Sequence, residues 1–223
     1  MLKIRTYLSR FYRFNLLNIL YKFGVGPFWP SRGKLVEHYS SEAYQKHKAD
    51  RFNLPDEWKI WIQEIIGDNK KVLDFGCGRG LLGKLMIPYS KCVIGIDFCP
   101  EFIRQAKKNL GEANAILGDV INPPEHLPRD FDVVWCVEVI EHVLDPAKLI
   151  QSAANHLTED GKLVLTFPKS EFTGKNPEWK NIDRHLWCFD KIGILKLTEA
   201  FFTFEGLYYD YFWVFRKKAN SDM

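Results

Sequence analysis

The chain has 223 residues, 46% of them hydrophobic and 26% charged, enough for one well-buried domain with an accessory segment and too apolar for a disordered or fibrous chain. Its formal net charge of +3 is unevenly spread: Met1 to Val36 holds seven basic residues (Lys3, Arg5, Arg10, Arg13, Lys22, Arg32, Lys34) and no acidic one, leaving 24 basic against 28 acidic residues in the remainder. That acidic body argues against a general polyanion binder, so DNA is not expected as a partner and RNA is disfavoured. The five cysteines, Cys77, Cys92, Cys99, Cys136 and Cys188, are odd in number and show no C-x-x-C spacing, which points to reduced thiols in the cytoplasm. No apolar run approaches the roughly 20 residues of a membrane span.

Residues 1–36 read as a basic, aromatic helical appendage and residues 37–223 as the main domain. Within the appendage, residues 1–23 have a broad apolar and aromatic helical face with basic residues between, until "GVGPFWPSRG" breaks the pattern. Such a face suits peripheral contact with an anionic membrane, and equally a cap packed on the domain or on a partner. An acid-poor start also resembles an organelle transit peptide, although serine is scarce.

From "DEWKIWIQEII" onward, helical and strand-like segments alternate, with Asp56 placed to cap that first helix and Gly67 to end it. Strands are expected at "KVLDFG", "KCVIGID", "ANAILGD", "FDVVWCVEV" and "GKLVLTFP", and helices at "LLGKLM", "EFIRQAKKNL" and "DPAKLIQSAANHL". Short apolar strands separated by helices imply an α/β fold, a mostly parallel sheet with helices on both faces. At the end, "FFTFEGLYY" and "DYFWVFRKK" follow one another without a helix, so an antiparallel hairpin is expected at the C-terminal sheet edge.

The first strand runs into "VLDFGCGRG", which places Gly76, Gly78 and Gly80 before a helix. Glycines there let the backbone turn tightly and approach a ligand. The spacing is G-x-G-x-G with Asp74 just ahead, not the G-x-G-x-x-G of dinucleotide sites. In "GIDFCPEFIRQAKKN" Asp97 ends the second strand, and in "LGDV" Asp119 ends the third. On these residues, from about Lys70 to Gly161, the chain resembles class I S-adenosylmethionine-dependent methyltransferases. The spacing then has a physical meaning: a carboxylate at the second strand's end can accept both hydroxyl protons of the cofactor ribose, and one at the third can accept from the adenine amino group. The resemblance implies a Rossmann-like fold and a cofactor site of Asp74, Gly76, Cys77, Gly78, Asp97, Phe98, Asp119 and Val120. Among these, Gly76 and Gly78 would line the cofactor and Asp74 would lie near its methionine moiety.

Ligands of a parallel sheet sit beyond the carboxyl ends of its strands, and "VVWCVEVIEHVLDP" puts Glu138, Glu141 and His142 there. A helix beginning around Ile140 would give these three i, i+3 and i+4 relations and converge them. Neighbouring carboxylates repel unless a proton or cation lies between them; Mg²⁺ would serve, and the histidine suits Mn²⁺ or Zn²⁺. His185, in "NIDRHLWCFD", follows the fifth strand and a loop and completes an expected metal set of Glu138, Glu141, His142 and His185. E-x-x-E-H with a distant histidine is similar to the metal-binding pattern of small-RNA 2′-O-methyltransferases and, together with "RHLWCF", of quinone-biosynthetic O-methyltransferases. In both, the family assigns the cation to holding substrate oxygens beside the methyl donor. Many metal-free methyltransferases carry a similar stretch, in which the acid and histidine cap a helix or bond to the loop.

Methyl transfer from a sulfonium needs alignment and an electron-rich nucleophile. A phenol with a pKa near 10 is about one-thousandth ionised at pH 7, and ionising it fully is worth roughly 4 kcal/mol. A cation on the oxygen would supply much of that, with Glu138, His142 and His185 as the expected catalytic residues and a histidine taking the proton. The long segment "KSEFTGKNPEWKNIDR" reads as a lid. Trp179, Trp187 and Phe189 are candidates to wall an aromatic acceptor, against a core role. The expectation is methylation of a small-molecule acceptor, most simply a phenol or catechol oxygen. A metal-free enzyme acting on a sugar or cell-surface precursor, an RNA ribose methyltransferase and a non-catalytic adapter are the alternatives.

Overall fold

The computed structural model describes residues 30–49, 56–176 and 183–219. The expected helix over residues 1–23 lies outside them, as does Trp179. Among the described residues three helices come first: α1 (Arg32–Ser40), α2 (Glu42–Ala49) and α3 (Glu57–Ile66). The α/β units follow as β1 (Lys70–Phe75), α4 (Leu81–Met86), β2 (Ser90–Asp97), α5 (Pro100–Leu110), β3 (Ala115–Leu117), β4 (Phe131–Val137), α6 (Pro146–His156) and β5 (Leu157–Thr166). The short strands β6 (Gly174–Lys175) and β7 (Trp187–Cys188) pair with each other, and α7 (Lys191–Thr198) leads into β8 (Phe202–Tyr208) and β9 (Phe212–Lys217).

The main sheet has seven strands in the order β3-β2-β1-β4-β5-β9-β8, with β3 to β5 parallel and β9 and β8 antiparallel at one edge. This is the expected fold. Successive residues of β1 feed opposite faces: Leu73 and Phe75 join a core with Leu149, Ile150 and Ala153 of α6, while Val72 joins Ile62 and Ile65 of α3 and Ile103 and Ala106 of α5. A strand that is apolar on both sides must be covered on both sides, which is what places helices on each face. β1 lies between β2 and β4, so the chain reverses its direction of strand addition there and opens a crevice beyond the strand ends.

The helix ends follow local chemistry. The Asp145 side chain accepts from the Lys148 amide at 3.1 Å with Pro146 at the first helical position, so α6 begins there and the expected helix near Ile140 does not form. Residues 138–144 are turns instead. Asp56 stands at the N-cap of α3 but does not cap it: its backbone is already helical and its carboxylate takes Lys59 Nζ at 2.9 Å. Gly67 ends that helix as expected, with φ of +75°. Helix α1 runs across the expected boundary at residue 36, and Leu35 and Tyr39 of α1 pack with Tyr44, Cys99 and Leu186 in a third apolar cluster above the crevice. No helix among the described residues is long and apolar enough to cross a membrane.

Candidate active site

A cavity of about 380 Å³ opens at the carboxyl ends of β1, β2 and β4. Asp74, Gly76, Cys77, Gly78, Asp97, Phe98, Asp119 and Val120 all lie on its wall, together with Glu138 and His142. The glycine loop is fixed by the Gly76 and Cys77 amides, which both donate to the Ile96 carbonyl at 2.8 and 3.1 Å. Gly76 has φ of +69°, and a Cβ there would stand 2.4 Å from Val139 Cγ2, so only glycine fits where β1 passes the end of β4. Gly78, with φ of +52°, has no described residue within 4 Å of such a Cβ, so the restraint seen there is backbone conformation.

The cavity holds two buried carboxyl groups in different states. Asp97 accepts from the Gly78 amide on Oδ2 at 3.0 Å and from the Cys99 amide on Oδ1 at 2.8 Å. Burial pushes its pKa up to about 6, and those amide donors hold it from rising further. Asp74, 2% exposed, has an Oδ2 with no hydrogen-bond partner among the described residues. Burial, with the neighbouring Asp97 charge adding to it, pushes its pKa up to about 8. Asp97 therefore ionises first and Asp74 keeps its proton at neutral pH. An unpartnered buried carboxyl on a cavity wall fits a ligand with a cationic end, and Asp97 fits one with hydroxyls. The Cys77 thiol is pushed up by burial and stays neutral. Asp119 lies two residues beyond β3 rather than at its end, accepting from Arg32 Nε at 3.0 Å and from the Ile121 amide at 3.1 Å.

Beyond β4, one ligand atom from each of Glu141, His142 and His185 lies within 4.8 Å of the others. Glu141 is 1% exposed, and its Oε1 stands 3.7 Å from His142 Nε2. Two backbone bonds bring the distant histidine in: the Leu186 and Trp187 amides both donate to the Glu141 carbonyl, at 2.7 and 3.0 Å. The Arg184 carbonyl is 3.3 Å from His142 Nδ1, on the side of the ring away from Nε2, which stands toward Glu141. Tyr39 Oη shares Nδ1 at 3.1 Å.

Glu138 stands outside this group. Its Oε1 accepts from Thr166 Oγ1 at 2.9 Å and from the Tyr211 hydroxyl at 3.2 Å. It is also a non-glycine residue at φ of +53°, a conformation costing on the order of 1 kcal/mol. The helical geometry expected to converge Glu138 with Glu141 and His142 is replaced by a turn, in which the His142 amide donates to the Val139 carbonyl at 2.9 Å.

Trp187 and Phe189 do not line the cavity. Trp187 Nε1 donates to the Val143 carbonyl at 2.9 Å, and Phe189, 2% exposed, packs on Phe167 in the core. The described part of the expected lid is tied down: the Asn176 amide donates to the Leu186 carbonyl at 2.7 Å and the Ser170 amide to the Phe189 carbonyl at 3.0 Å. Arg32, Tyr39, Trp58 and Tyr211 line the cavity without having been read from the sequence. They arrive from α1, α3 and the β8–β9 turn, and no local motif marks them.

Residues 47–200 match the family described as "Methyltransferase domain". The "Ubiquinone biosynthesis O-methyltransferase" of Nitrosomonas europaea is 39% identical over 107 residues, 45% of this chain and 46% of that protein. That of Xanthomonas euvesicatoria is 37% identical over 100 residues, 43% of this chain and 42% of that one. The chain thus spans less than half the length of these curated relatives. The solved 1,6-didemethyltoxoflavin-N1-methyltransferase of Burkholderia thailandensis, with S-adenosylhomocysteine bound, superposes with a TM-score of 0.63 at 17% identity, covering 87% of this chain and 93% of its own. The N-methyltransferase NodS of Bradyrhizobium japonicum gives 0.57 at 16% identity, covering 83% and 97%. With the family matched over well over half of this chain, the chain belongs to the methyltransferase-domain family.

Proposed function

We propose that this enzyme methylates an oxygen of a small-molecule phenol or catechol with the assistance of a divalent cation. The observation that carries the reading is the Glu141, His142 and His185 cluster, whose His142 also stands on the wall of the cavity shared with Asp97 and the glycine loop. The relatives' name, O-methylation in ubiquinone biosynthesis, supports oxygen as the nucleophile.

In this reading Asp97 accepts the ribose hydroxyls, Asp119 the adenine amino group, and Asp74 faces the methionine end. Gly76 and Gly78 admit the cofactor to the backbone, and Cys77, Phe98 and Val120 line its walls. Glu141, His142 and His185 would hold the cation, which would supply Lewis acidity at the acceptor hydroxyl. One buried carboxylate and two imidazoles form a fitting donor set for a borderline or hard divalent ion. Glu138 orients the acceptor, and the contacts of His142 Nδ1 with Tyr39 and the Arg184 carbonyl hold the ring with Nε2 toward Glu141. The basic appendage of residues 1–36 would bring the 37–223 domain to an anionic surface.

The test is calorimetric titration of S-adenosylmethionine and then Mg²⁺ into chelator-treated protein, wild type against Glu141→Ala. The proposal expects cofactor heat in both and metal heat in the wild type alone. Cofactor heat without metal heat in either would move the assignment to a metal-free methyltransferase.

A further inference from the structure

Three non-glycine residues with positive φ converge on one hydrogen bond. Glu138 is one, at +53°; Tyr209 and Asp210, at +55° and +56°, form the two central positions of the β8–β9 turn. That turn is closed by the Tyr211 amide on the Tyr208 carbonyl at 3.1 Å. Two consecutive left-handed residues make a hairpin turn that ordinarily selects Asn-Gly or Asp-Gly, and here the first position is a tyrosine. The tip is anchored by Tyr209, stacked on Trp61 of α3 with ring centroids 4.6 Å apart and 13° between planes. The next residue but one, Tyr211, packs against Trp58 at 5.4 Å and delivers its hydroxyl to Glu138.

On the other side, Thr166 at the end of β5 clasps Glu138 with three hydrogen bonds. Its Oγ1 and carbonyl accept from the Glu138 amide at 3.1 and 3.2 Å, and the same hydroxyl donates to the Glu138 carboxylate. Both donors to the carboxylate fall on Oε1, and Oε2 takes no hydrogen bond among the described residues. Glu138, Tyr211 and Trp58 all line the cavity. Local strain held by surrounding contacts at a cavity wall points to a functional constraint on that side chain, and a carboxylate oxygen recognises a hydrogen-bond donor.

We propose that the β8–β9 tip is the acceptor-specificity element of this enzyme, with Tyr211 a positioning residue that fixes Glu138 so that its second carboxylate oxygen accepts from a hydroxyl of the bound acceptor. This rests on the hydroxyl-bearing acceptor proposed above, and makes no use of the cation.

Catechol is the probe, assayed with methyl-labelled S-adenosylmethionine on wild type, Tyr211→Phe and Thr166→Val. Tyr211→Phe keeps the ring and removes one bond to a charged group, so kcat/KM for catechol should fall roughly tenfold or more. The loss should appear in the catechol KM and kcat, while the KM for S-adenosylmethionine and the calorimetric affinity for S-adenosylhomocysteine stay within about twofold. Unchanged catechol kinetics, or equal rises in KM for both substrates, overturn the proposal. A second measurement needs no turnover. Thermal midpoints of S-adenosylhomocysteine-saturated Tyr211→Phe, Glu138→Gln and the double variant form a cycle, and non-additive shifts support the coupling. Additive shifts overturn it whether or not catechol is methylated. A wild type that leaves catechol untouched counts against the phenolic reading of the function, while the cycle still decides the positioning role.

Discussion

Asp74→Asn isolates a proton that cofactor binding should expel. With a pKa of about 8, the Asp74 carboxyl is only ~10% ionised at pH 7, and ionising it costs about 1.4 kcal/mol, one pK unit. A cationic ammonium placed against this buried group favours the carboxylate, so binding lowers its pKa and releases close to one proton. The sign follows: affinity should tighten roughly tenfold between pH 6.5 and 7.5 and flatten above pH 8. The neighbouring groups are Asp97, which titrates near pH 6 and so lies at the edge of that window, and the Cys77 thiol, which stays neutral. Calorimetry with S-adenosylhomocysteine in two buffers of different protonation enthalpy measures the released proton directly. Asp74→Asn should abolish both the proton release and the pH slope, leaving an affinity that is weaker and flat. A wild type with no proton release and no pH dependence between pH 6.5 and 8 would refute the reasoning, because the carboxyl would then be ionised before the cofactor arrives. Without ligand the sign reverses: the raised pKa favours the folded state below about pH 4, and that contribution is lost as pH rises through 8, so the free wild type should melt lower at pH 8.5 than at pH 6.5 and the variant should not.

Gly76→Ala meets both a left-handed φ and the 2.4 Å contact with Val139, so it should cost about 3 kcal/mol, a fall of roughly 6 to 12 °C in thermal midpoint. Gly78→Ala meets only the φ penalty and should cost about 1 kcal/mol, while its methyl group lowers cofactor affinity by calorimetry. Equal midpoints for the two would contradict the packing at the end of β4. The full chain should cosediment with anionic vesicles in low salt through Lys3, Arg5, Arg10, Arg13 and Lys22, at about 1 kcal/mol per basic residue. Residues 24–223 should not, and equal sedimentation of both would remove the appendage from any surface role.

The sheet was legible because its central strands are apolar on both faces and several are separated by helices with a local start signal. Pro100 and Glu101 open α5, and Asp145 with Pro146 opens α6. The same Asp-Pro pair also announced that no helix could start at Ile140, yet i, i+3 and i+4 spacing alone suggested one. Asp56 failed as a cap for a subtler reason, since composition does not reveal that its own backbone is helical. The carboxylates at Asp74 and Asp97 could be read from their place at the carboxyl ends of apolar strands. Tyr211 could not: it meets Glu138 across 73 residues of chain, through a turn whose residues carry no Asn-Gly signature. Thr166, fully buried at the end of β5, looks in the sequence like one more strand residue.

Glu141 divides its labour between two parts of the same residue. Its carbonyl binds the Leu186 and Trp187 amides, and its carboxylate joins the two imidazoles. The placement of the loop that carries His185 is therefore written into peptide groups, which every amino acid but proline supplies in full. A lineage of such proteins can exchange the acid for another side chain in a single step and keep the loop seated, because the bonds that seat it do not involve the side chain. On the reading proposed above, the identity of residue 141 would then be an evolutionary dial between cation-assisted and cation-free chemistry, detached from the survival of the fold.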